Sequence, residues 1–315
     1  MSLEPQVSVV IPVFNEAGSI DALLGEVLPV VRGLGRPAEV VLVDDGSTDG
    51  TTDLAAAAAR REPDIVFVRL RRNFGKSEAL NAGFAAASGT IIVTMDGDLQ
   101  DDPAEIPRLL SELDGGLDLV SGWKATRRDP LNKRIPSKIF NAVTRRVTGV
   151  DLHDLNCGLK AYRTEVVRSL AITGDQYRYI PVLAAQEGFR VGELAVNHRP
   201  RQHGSSKYGW ERYLRGLLDL LTITFLGRYR HRPMHLFGGI GLVLLAVGFA
   251  VSAYMSVLRF MGESIGNRPL LLLGVLMILV GIQLLTFGLL SEMIQRQHAR
   301  SRADDSASRV RDVIR

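Results

Sequence analysis

Two clusters of aspartates are the residues of this sequence whose type and spacing could do chemistry. Asp96 and Asp98 are separated only by Gly97, and Asp44 and Asp45 are adjacent. Two carboxylates one residue apart can converge on one hard divalent cation, while the glycine permits a tight backbone. Such a cation would bridge two phosphates and neutralise a departing diphosphate. Each cluster taken alone is equally typical of an acidic turn, because aspartate and glycine are common in turns.

The elements that would position these aspartates are strands that alternate with helices. Apolar runs predict strands over residues 7–13, 39–43, 65–70 and 90–95, with helical patterns at 15–34, 49–60 and 78–88. This alternation predicts an α/β fold with a parallel sheet covered on both faces, whose ligands bind beyond the carboxyl ends of the strands. Segments 12–16, 44–49 and 96–102 fall at such ends. Because clustered aspartates repel without a cation or a base donor, the sequence predicts a nucleotide-and-metal site there.

The composition limits the classes of partner. The net charge of +4 fits anionic partners such as phosphates or lipid headgroups. No basic stripe interleaves with aromatic residues, so we expect no nucleic-acid partner. The single cysteine excludes an intrachain disulfide and, with a start that does not look like a signal peptide, predicts an N-terminal domain in the cytoplasm.

Four blocks in order carry a family resemblance: Val9-Val-Ile-Pro-Val-Phe-Asn-Glu16, Val43-Asp-Asp-Gly-Ser-Thr-Asp-Gly-Thr51, Arg72-Asn-Phe-Gly-Lys76 and Asp96-Gly-Asp-Leu-Gln-Asp-Asp-Pro103. Together they resemble the inverting family-two glycosyltransferases. More narrowly, the chain is similar to dolichyl-phosphate mannose synthase and the bacterial polyisoprenyl-phosphate glycosyltransferases, over nearly its whole length. The resemblance implies a Rossmann-like GT-A domain. The implied activity moves a hexose from a UDP- or GDP-linked sugar to a polyisoprenyl phosphate, with inversion.

The resemblance also implies roles for single residues. Donor-binding positions in the first hundred residues are Pro12, Phe14, Glu16, Asp44, Asp45, Lys76, Asp96 and Gln100. Pro12, Phe14 and Glu16 match the loop that contacts the nucleotide. Asp44 and Asp45 match positions near the base and ribose. The DXD pattern of Asp96 and Asp98, with Gln100, matches the family's site for Mg²⁺ or Mn²⁺ and diphosphate, and Gln100 is chosen by the resemblance alone.

Two basic stretches could bind further anions, although many such runs are only solvated loops. Related enzymes place arginines and a serine on the acceptor phosphate, and Arg127, Arg134 and Ser137 match them. The later segment 198–208 resembles the loop that closes over the donor. Its candidates for diphosphate contact are Arg201, Ser206 and Lys207.

Asp154 lies where related enzymes carry an acidic residue facing the acceptor, so it is a third catalytic candidate beside Asp96 and Asp98. Asp151 and Asn156 compete for that role. A hydroxyl acceptor would need a general base, whereas a phosphate monoester, with a second pKa near ~6, is already anionic. A phosphate acceptor therefore predicts direct in-line displacement without a nucleophilic residue, and Cys157 is expected to be buried and inert.

The last quarter of the sequence predicts a membrane hairpin. Residues 236–258 and 270–291 contain no charge, and each run exceeds the roughly 20 residues that cross a bilayer. Arginines at 228, 230, 232, 296, 300 and 302 flank the pair, while the loop between has only two, Arg259 and Arg268. Positive-inside bias then puts both termini in the cytoplasm. Glycines in the spans would permit helix association in a homo-oligomer.

The predicted organisation has four parts. A catalytic domain at 1–209 is followed by an amphipathic helix and basic linker at 210–232, two spans at 233–295 and a polar tail at 296–315. The helix could lie in the membrane interface or pack on the catalytic domain. The polar and charged composition of the tail predicts that it is disordered. Two other functions stay open: transfer to a hydroxyl of a polysaccharide or glycolipid, and non-catalytic nucleotide-sugar binding at the membrane.

Overall fold

The structure, a computed structural model, describes residues 5–124, 145, 149–170, 172–197, 199, 233–262, 269–298 and 310–314. The chain divides into two compact units. One comprises Met1–Thr224 with Asp304–Arg315, and the other comprises Phe225–Ala303. The amphipathic segment predicted at 210–232 lies outside the described residues.

The first unit contains alternating strands and helices. Its strands are β1 (Val7–Val13), β2 (Ala38–Asp44), β3 (Ile65–Leu70), β4 (Ile91–Thr94), β5 (Leu119–Trp123), β6 (Lys160–Arg163), β7 (Val191–Ala195) and β8 (Val310–Ile314). Its helices are α1 (Ile20–Arg32), α2 (Thr51–Arg61), α3 (Lys76–Ala86), α4 (Ile106–Asp114), α5 (Thr164–Ser169) and α6 (Ile180–Gln186), with 3-10 turns at Pro103–Glu105 and Gln176–Tyr179. The predicted β1 and β3 agree to the residue.

The described strands form one sheet in the order β7-β5-β6-β4-β1-β2-β3-β8. β1 pairs in parallel with β2 and with β4, and β2 pairs in parallel with β3, as the alternating pattern predicts. β6 is antiparallel to both β4 and β5, and β7 is parallel to β5. The carboxyl ends of β1 to β5 and β7, together with the amino end of β6, therefore meet at one edge. This edge carries the candidate site.

Helices cover both faces of the sheet because its central strands are apolar on both sides. Val7, Val9 and Ile11 of β1 lie in one buried cluster, and Val10 lies in another on the opposite face. Such two-sided burial is the reason why the strands read as continuous apolar runs. The rigid sheet then holds the loops at its edge in fixed positions.

The tail differs from the expectation that it lacks regular structure. Val310–Ile314 forms β8, which pairs antiparallel with β3. β3 would otherwise be an open sheet edge with unpaired backbone groups, and adding a strand satisfies them. Backbone pairing depends little on side-chain polarity, so the polar composition of the tail gave no signal for it.

The second unit is a helical hairpin. α7 spans Pro233–Phe260 and α8 spans Pro269–His298. Within them Leu236–Phe260 and Pro269–Ser291, 25 and 23 residues long, are long and apolar enough to cross a membrane. Large apolar side chains such as Leu242, Phe249 and Leu272 are exposed on this unit, unlike those of a buried core helix. The fold thus contains the two apolar helices that the sequence predicts as a transmembrane hairpin.

Glycines of the two helices face each other inside the hairpin. A Cβ on Gly241 would lie 2.8 Å from the carbonyl oxygen of Gly281, and one on Gly248 would lie 2.8 Å from that of Gly274. The helices are antiparallel, since the contact moves backwards along α8 as it moves forwards along α7. Small residues let helix backbones approach closely, which drives association where no hydrophobic effect acts. These glycines therefore pack the helices of one chain together.

Gly241→Leu should destabilise the hairpin by about 1–3 kcal/mol, because the new side chain meets the α8 backbone. Gly239→Leu is the matched control, since a Cβ at Gly239 has nothing within 4 Å. Unfolding of the purified protein in mixed micelles, titrated with sodium dodecyl sulfate, measures both. Equal loss of stability in the two variants would show that the glycine contact is not what holds the helices together.

Candidate active site

The loops after β1 and β2 are joined by hydrogen bonds into one wall of the site. The backbone N–H of Asn15 donates to Ser47 Oγ at 2.9 Å, and the Thr48 N–H donates to Asn15 Oδ1 at 2.9 Å. The Glu16 N–H donates to Thr51 Oγ1 at 2.8 Å, while the Glu16 carboxylate accepts the Ser19 hydroxyl. Pro12, Phe14 and Glu16, predicted to contact the nucleotide, lie here and are partly exposed. Their nucleotide contact stays a prediction.

Asp44 and Asp45 are both buried, and their carboxylates accept hydrogen bonds from other residues of the protein. Asp44 accepts the Ser47 N–H at 2.9 Å and the Thr52 hydroxyl at 2.5 Å. Asp45 accepts the N–H groups of Phe74 and Gly75 at 2.8 and 2.9 Å. Burial raises the pKa of Asp45, and these two N–H donors partly offset it. The pair thus fixes the loops after β2 and β3 at the predicted place for base and ribose.

After β4 the chain alternates between exposed and buried residues. Asp96, Asp98 and Gln100 are partly exposed, while Gly97, Leu99 and Asp101 are buried. Leu99 has φ 62°, a left-handed conformation that a leucine rarely adopts, and is 4% exposed in the core. This strained turn is held by burial of the leucine side chain. The three predicted metal and diphosphate residues are thus each partly accessible, and their shared role as ligands stays a prediction.

Asp96 is paired with a cation of the protein. The Lys76 ammonium donates a hydrogen bond to Asp96 Oδ1, and the Asp96 N–H donates to Asp101 Oδ2 at 3.1 Å. Burial alone would raise the pKa of Asp96, but the charges of Lys76 and Lys124 outweigh it and lower this pKa to about 2. The carboxylate is therefore ionised at neutral pH, as a ligand of a cation must be.

Two further lysines surround the aspartates, and sequence reasoning did not select them. Lys124 Nζ lies 3.5 Å from Asp101 Oδ1. Lys160, at the amino end of β6, is buried and donates to the carbonyl oxygen of Cys157. Burial, together with the charge of Lys76, lowers the pKa of Lys160. The position of Lys160 at the start of a strand was a signal in the sequence. The residues that surround its side chain come from distant segments and could not be read from the sequence. The resulting cluster suits polyanionic ligands.

The loop before β6 closes the site on another side. Asp154 is buried, and its Oδ1 accepts the Asn156 N–H at 3.0 Å, whereas the side chain of Asp151 is 88% exposed. Within the described residues Asn156 Oδ1 is buried without a hydrogen-bond partner. Asn156 lines a cavity of about 10 Å³ together with Lys76 and Asp96, room for about one water. Of the three candidates for the role facing the acceptor, Asn156 thus lines the cavity beside Asp96, Asp154 is buried in the same loop, and Asp151 is exposed.

Gly158 continues this loop and lies against Asp96. A Cβ on Gly158 would be 2.4 Å from Asp96 Oδ1, so only glycine allows this close approach. The neighbouring Cys157 is buried, and burial raises the pKa of its thiol to about 12. The cysteine is therefore buried and protonated, which agrees with the prediction that it is not a nucleophile.

Glu193 on β7 anchors the loop that carries Asp154. Its carboxylate accepts the N–H groups of His153 and Asp154, each at 2.9 Å, and lies 2.8 Å from His153 Nδ1. The His153 ring stacks on Trp123, with ring centroids 4.3 Å apart. Sequence reasoning missed Glu193, because its partners lie about 40 residues away along the chain.

Arg199 connects the segment after β7 to the loop of residues 96–102 that follows β4, here called the acidic loop. It pairs with Asp102 at 2.9 Å and with Glu26 of α1 at 2.6 Å, and its N–H donates to the Gln100 carbonyl oxygen at 2.9 Å. Asn197 Nδ2 also donates to Asp102, at 3.1 Å. These contacts fix the backbone of Gln100, and the sequence offered no signal that would single out Arg199 among its many basic neighbours.

Six predicted ligands of phosphate lie outside the described residues: Arg127, Arg134, Ser137, Arg201, Ser206 and Lys207. The described segments nearest to them are Trp123–Lys124, which meets the acidic loop, and Asn197 with Arg199, which does the same. Contact of the six residues with phosphate stays a prediction.

The described side chains fit a cation that shares its ligands with a substrate. No group of three or more His, Cys, Asp or Glu side chains forms a metal cage within the described ranges. Asp96, Asp98 and Gln100 instead carry hard oxygen donors, and each of the three is partly exposed. Mg²⁺ and similar cations are commonly held by one or two carboxylates together with substrate phosphates. The donor set is suited to that arrangement.

Comparisons with known proteins identify the class. The model of glycosyl transferase family 2 matches residues 8–171. Dodecaprenyl-phosphate galacturonate synthase of Rhizobium johnstonii is 42% identical over 95% of this chain and 90% of its own length. Undecaprenyl-phosphate 4-deoxy-4-formamido-L-arabinose transferase of Pseudomonas paraeruginosa is 39% identical over 94% of this chain and 87% of its own length.

A solved structure shares the fold. Glucosyl-3-phosphoglycerate synthase of Mycobacterium tuberculosis, in complex with Mn²⁺, uridine-diphosphate-glucose and glycerol 3-phosphate, superposes with a TM-score of 0.51 and 26% identity, covering 71% of this chain and 80% of that one. Fold and site together define a glycosyltransferase with the GT-A fold. The chain belongs to glycosyl transferase family 2, and the resemblance seen in its four sequence blocks is confirmed.

Proposed function

We propose that this glycosyltransferase moves a hexose from a UDP- or GDP-linked sugar to a polyisoprenyl phosphate, with inversion, at the cytoplasmic face of a membrane. The observation that carries the proposal is the similarity, over at least 94% of the chain, to two enzymes named for polyprenyl-phosphate substrates. The two relatives are named for different sugars, and identity near 40% to both favours neither sugar for this chain.

The charge distribution of the site supports a diphosphate donor. Lys76, Lys124 and Lys160 lie around Asp96 and Asp101, so the edge offers positive charge beside the acidic residues. A nucleotide diphosphate needs both kinds of group: ammonium groups for its oxygens, and a cation that the carboxylates hold. Asp44 and Asp45 shape the adjoining loops, where base and ribose would bind.

A divalent cation, Mg²⁺ or Mn²⁺, belongs to this proposal. Asp96, Asp98 and Gln100 would hold it, and it would supply charge neutralisation of the departing diphosphate. The structural neighbour solved with Mn²⁺ and a nucleotide-sugar supports this choice of cofactor. The residues of this chain would then bind and orient the two substrates, and Lys76, paired with Asp96, would contact the same diphosphate.

An anionic acceptor fits the described wall of the site. A phosphate monoester needs orientation and charge screening rather than proton removal at neutral pH. Asp154 is buried, its carboxylate accepts the Asn156 N–H, and its own N–H donates to Glu193. In this proposal Asp154 supports the loop before β6 and transfers no proton. We propose that the phosphate oxygen attacks the anomeric carbon directly, while the nucleotide diphosphate leaves from the opposite side.

The hairpin supports an acceptor that resides in a membrane. The exposed apolar surface of α7 and α8 suits lipid, and the arginines flanking the pair support a cytoplasmic location of both ends by the positive-inside rule. A polymer-extending enzyme with a hydroxyl acceptor usually needs more helices to conduct its product. A non-catalytic binder would be marked by loss of Asp96 or Asp98, and both are present.

The first experiment offers the purified full chain a panel of radiolabelled UDP- and GDP-sugars with undecaprenyl or dolichyl phosphate. Each pair is tested with Mg²⁺, with Mn²⁺ and with EDTA. We expect one donor to give a labelled lipid that mild acid hydrolyses, formed only with cation and with inverted configuration at the anomeric carbon. Transfer to a glycan or glycolipid hydroxyl, with every lipid phosphate inactive, would disprove the proposed acceptor.

A further inference from the structure

Lys76 forms an ion pair with Asp96, the carboxylate that the proposed function assigns to a divalent cation. It is the first residue of α3, and its ammonium donates to Asp96 Oδ1. The same ammonium lies 4.8 Å from the centre of the Tyr177 ring. A positive charge over an aromatic face is stabilised by the ring, so Tyr177 helps to hold the lysine in place.

The other surroundings of Asp96 restrict what else can approach it. The Gly158 backbone lies so close that a Cβ there would be 2.4 Å from Oδ1 and 2.7 Å from Oδ2. The side chain of Asp96 is 30% exposed, as is that of Lys76. A divalent cation and the Lys76 ammonium would therefore have to approach the Asp96 carboxylate through the same limited exposed surface.

The two other lysines of the cluster have different partners. Lys124 lies beside Asp101 at 3.5 Å, and Lys160 donates to the Cys157 carbonyl oxygen. Of these three lysines, Lys76 is the one hydrogen-bonded to Asp96. It is also more exposed than Lys124, whose side chain is 14% exposed, and its long flexible stem can carry the ammonium to a nearby anion.

We propose that Lys76 and the divalent cation compete for Asp96, and that the donor diphosphate decides this competition by offering the Lys76 ammonium a second anion. The inference rests on the proposed function and adds to it an order of events. Cation binding is weak while Lys76 holds Asp96, and becomes tight when the diphosphate draws the lysine away. Donor and cation then bind cooperatively, each strengthening the other by the same factor.

The test measures Mn²⁺ binding by electron paramagnetic resonance of free Mn²⁺ in the full-length protein, without nucleotide, with UDP and with GDP. Three proteins are compared: the natural chain, Lys76→Met and Lys76→Arg. Methionine keeps the length and apolar stem of lysine without its charge, and arginine keeps the charge. Thermal unfolding of each variant shows whether the fold is retained.

We expect Lys76→Met to bind Mn²⁺ about tenfold more tightly than the natural chain when no nucleotide is present. The strengthening of Mn²⁺ binding by nucleotide, about 5–150-fold for typical coupled sites, should fall by a similar factor in this variant. Lys76→Arg should stay within about threefold of the natural chain. Unchanged or weaker Mn²⁺ binding by Lys76→Met overturns the inference, as does equal tightening by both variants.

This measurement needs neither lipid acceptor nor turnover, so it separates the inference from the proposed function. If the donor panel yields a glycolipid while Lys76→Met binds Mn²⁺ no more tightly, the function stands and the competition is wrong. If the natural chain binds no Mn²⁺ with either nucleotide, the inference is overturned as well. Lys76→Met with tighter Mn²⁺ binding supports the competition even where the lipid acceptor has been misassigned.

Discussion

Asp98→Asn should lower the rate of sugar transfer by roughly 100- to 1,000-fold while leaving the protein folded. Asparagine has nearly the same shape but lacks the negative charge that a cation ligand needs. Loss of several kcal/mol of charge stabilisation at the departing diphosphate corresponds to this factor, since each 1.36 kcal/mol is about tenfold in rate. Asp98 is partly exposed on the segment after β4, so its replacement creates no buried cavity.

Asp64→Asn is the control for that variant. Asp64 precedes β3, at the sheet edge opposite the site, and pairs on the surface with Arg32 at 2.8 Å. A surface ion pair contributes little, and we expect full activity and a melting temperature close to that of the natural chain. Initial rates with the donor found in the panel, at saturating Mn²⁺, make the comparison. An active Asp98→Asn enzyme would remove this residue from the metal site.

Gly158→Ala should reduce sugar transfer about 100-fold, a large effect for the addition of one methyl group. The new Cβ would lie 2.4 Å from Asp96 Oδ1 and 2.5 Å from its Cγ, so either the carboxylate or the loop must move. Misplacement of a catalytic group by about 1 Å can cost this factor in rate. The φ angle of Gly158 lies outside the left-handed region, so backbone strain is not the cause.

Gly25→Ala provides the matched comparison. Gly25 lies within α1, and a Cβ there has nothing within 4 Å. Alanine should stabilise that helix by about 0.5–1 kcal/mol and leave activity unchanged. Steady-state kinetics and thermal unfolding of both variants test the pair. A fully active Gly158→Ala enzyme would mean that the close contact between Gly158 and Asp96 does not matter for catalysis.

The strands and the edge that carries the site could be predicted from the sequence. β1 to β4 are apolar on both faces, and continuous apolar runs in short segments indicate such strands. The aspartates follow these runs directly, so their place at the carboxyl edge needed only chain order. The hairpin was equally predictable, because charge is absent over two lengths that match a bilayer.

The partners of charged residues could not be predicted. Asp44 and Asp45 are of a residue type that often binds ligands. Their carboxylates nevertheless accept hydrogen bonds from backbone N–H groups and a hydroxyl of nearby residues. Arg199 finds Glu26 across 173 residues of sequence. Spacing along the chain reports local structure, whereas a buried charge is stabilised by whatever the tertiary fold brings beside it.

The backbone conformation of the acidic loop could not be predicted from the sequence either. Leu99 adopts a left-handed conformation that its residue type disfavours, and burial in the core enforces it. Gln100 was selected by resemblance rather than by chemistry for the same reason. Only the observed turn shows that residues 96, 98 and 100 are partly exposed while residues 97, 99 and 101 are buried.

β8 has a consequence for how the protein is made. It pairs with β3, but both apolar helices lie between these strands along the chain. During synthesis the outer edge of β3 therefore stays unpaired until the ribosome has produced the whole hairpin. The sheet is therefore still incomplete when both apolar helices have been synthesised, and the first unit finishes folding only after the hairpin has left the ribosome. An exposed edge in this interval invites aggregation, and chaperones that shield nascent chains should raise the yield of the full-length protein.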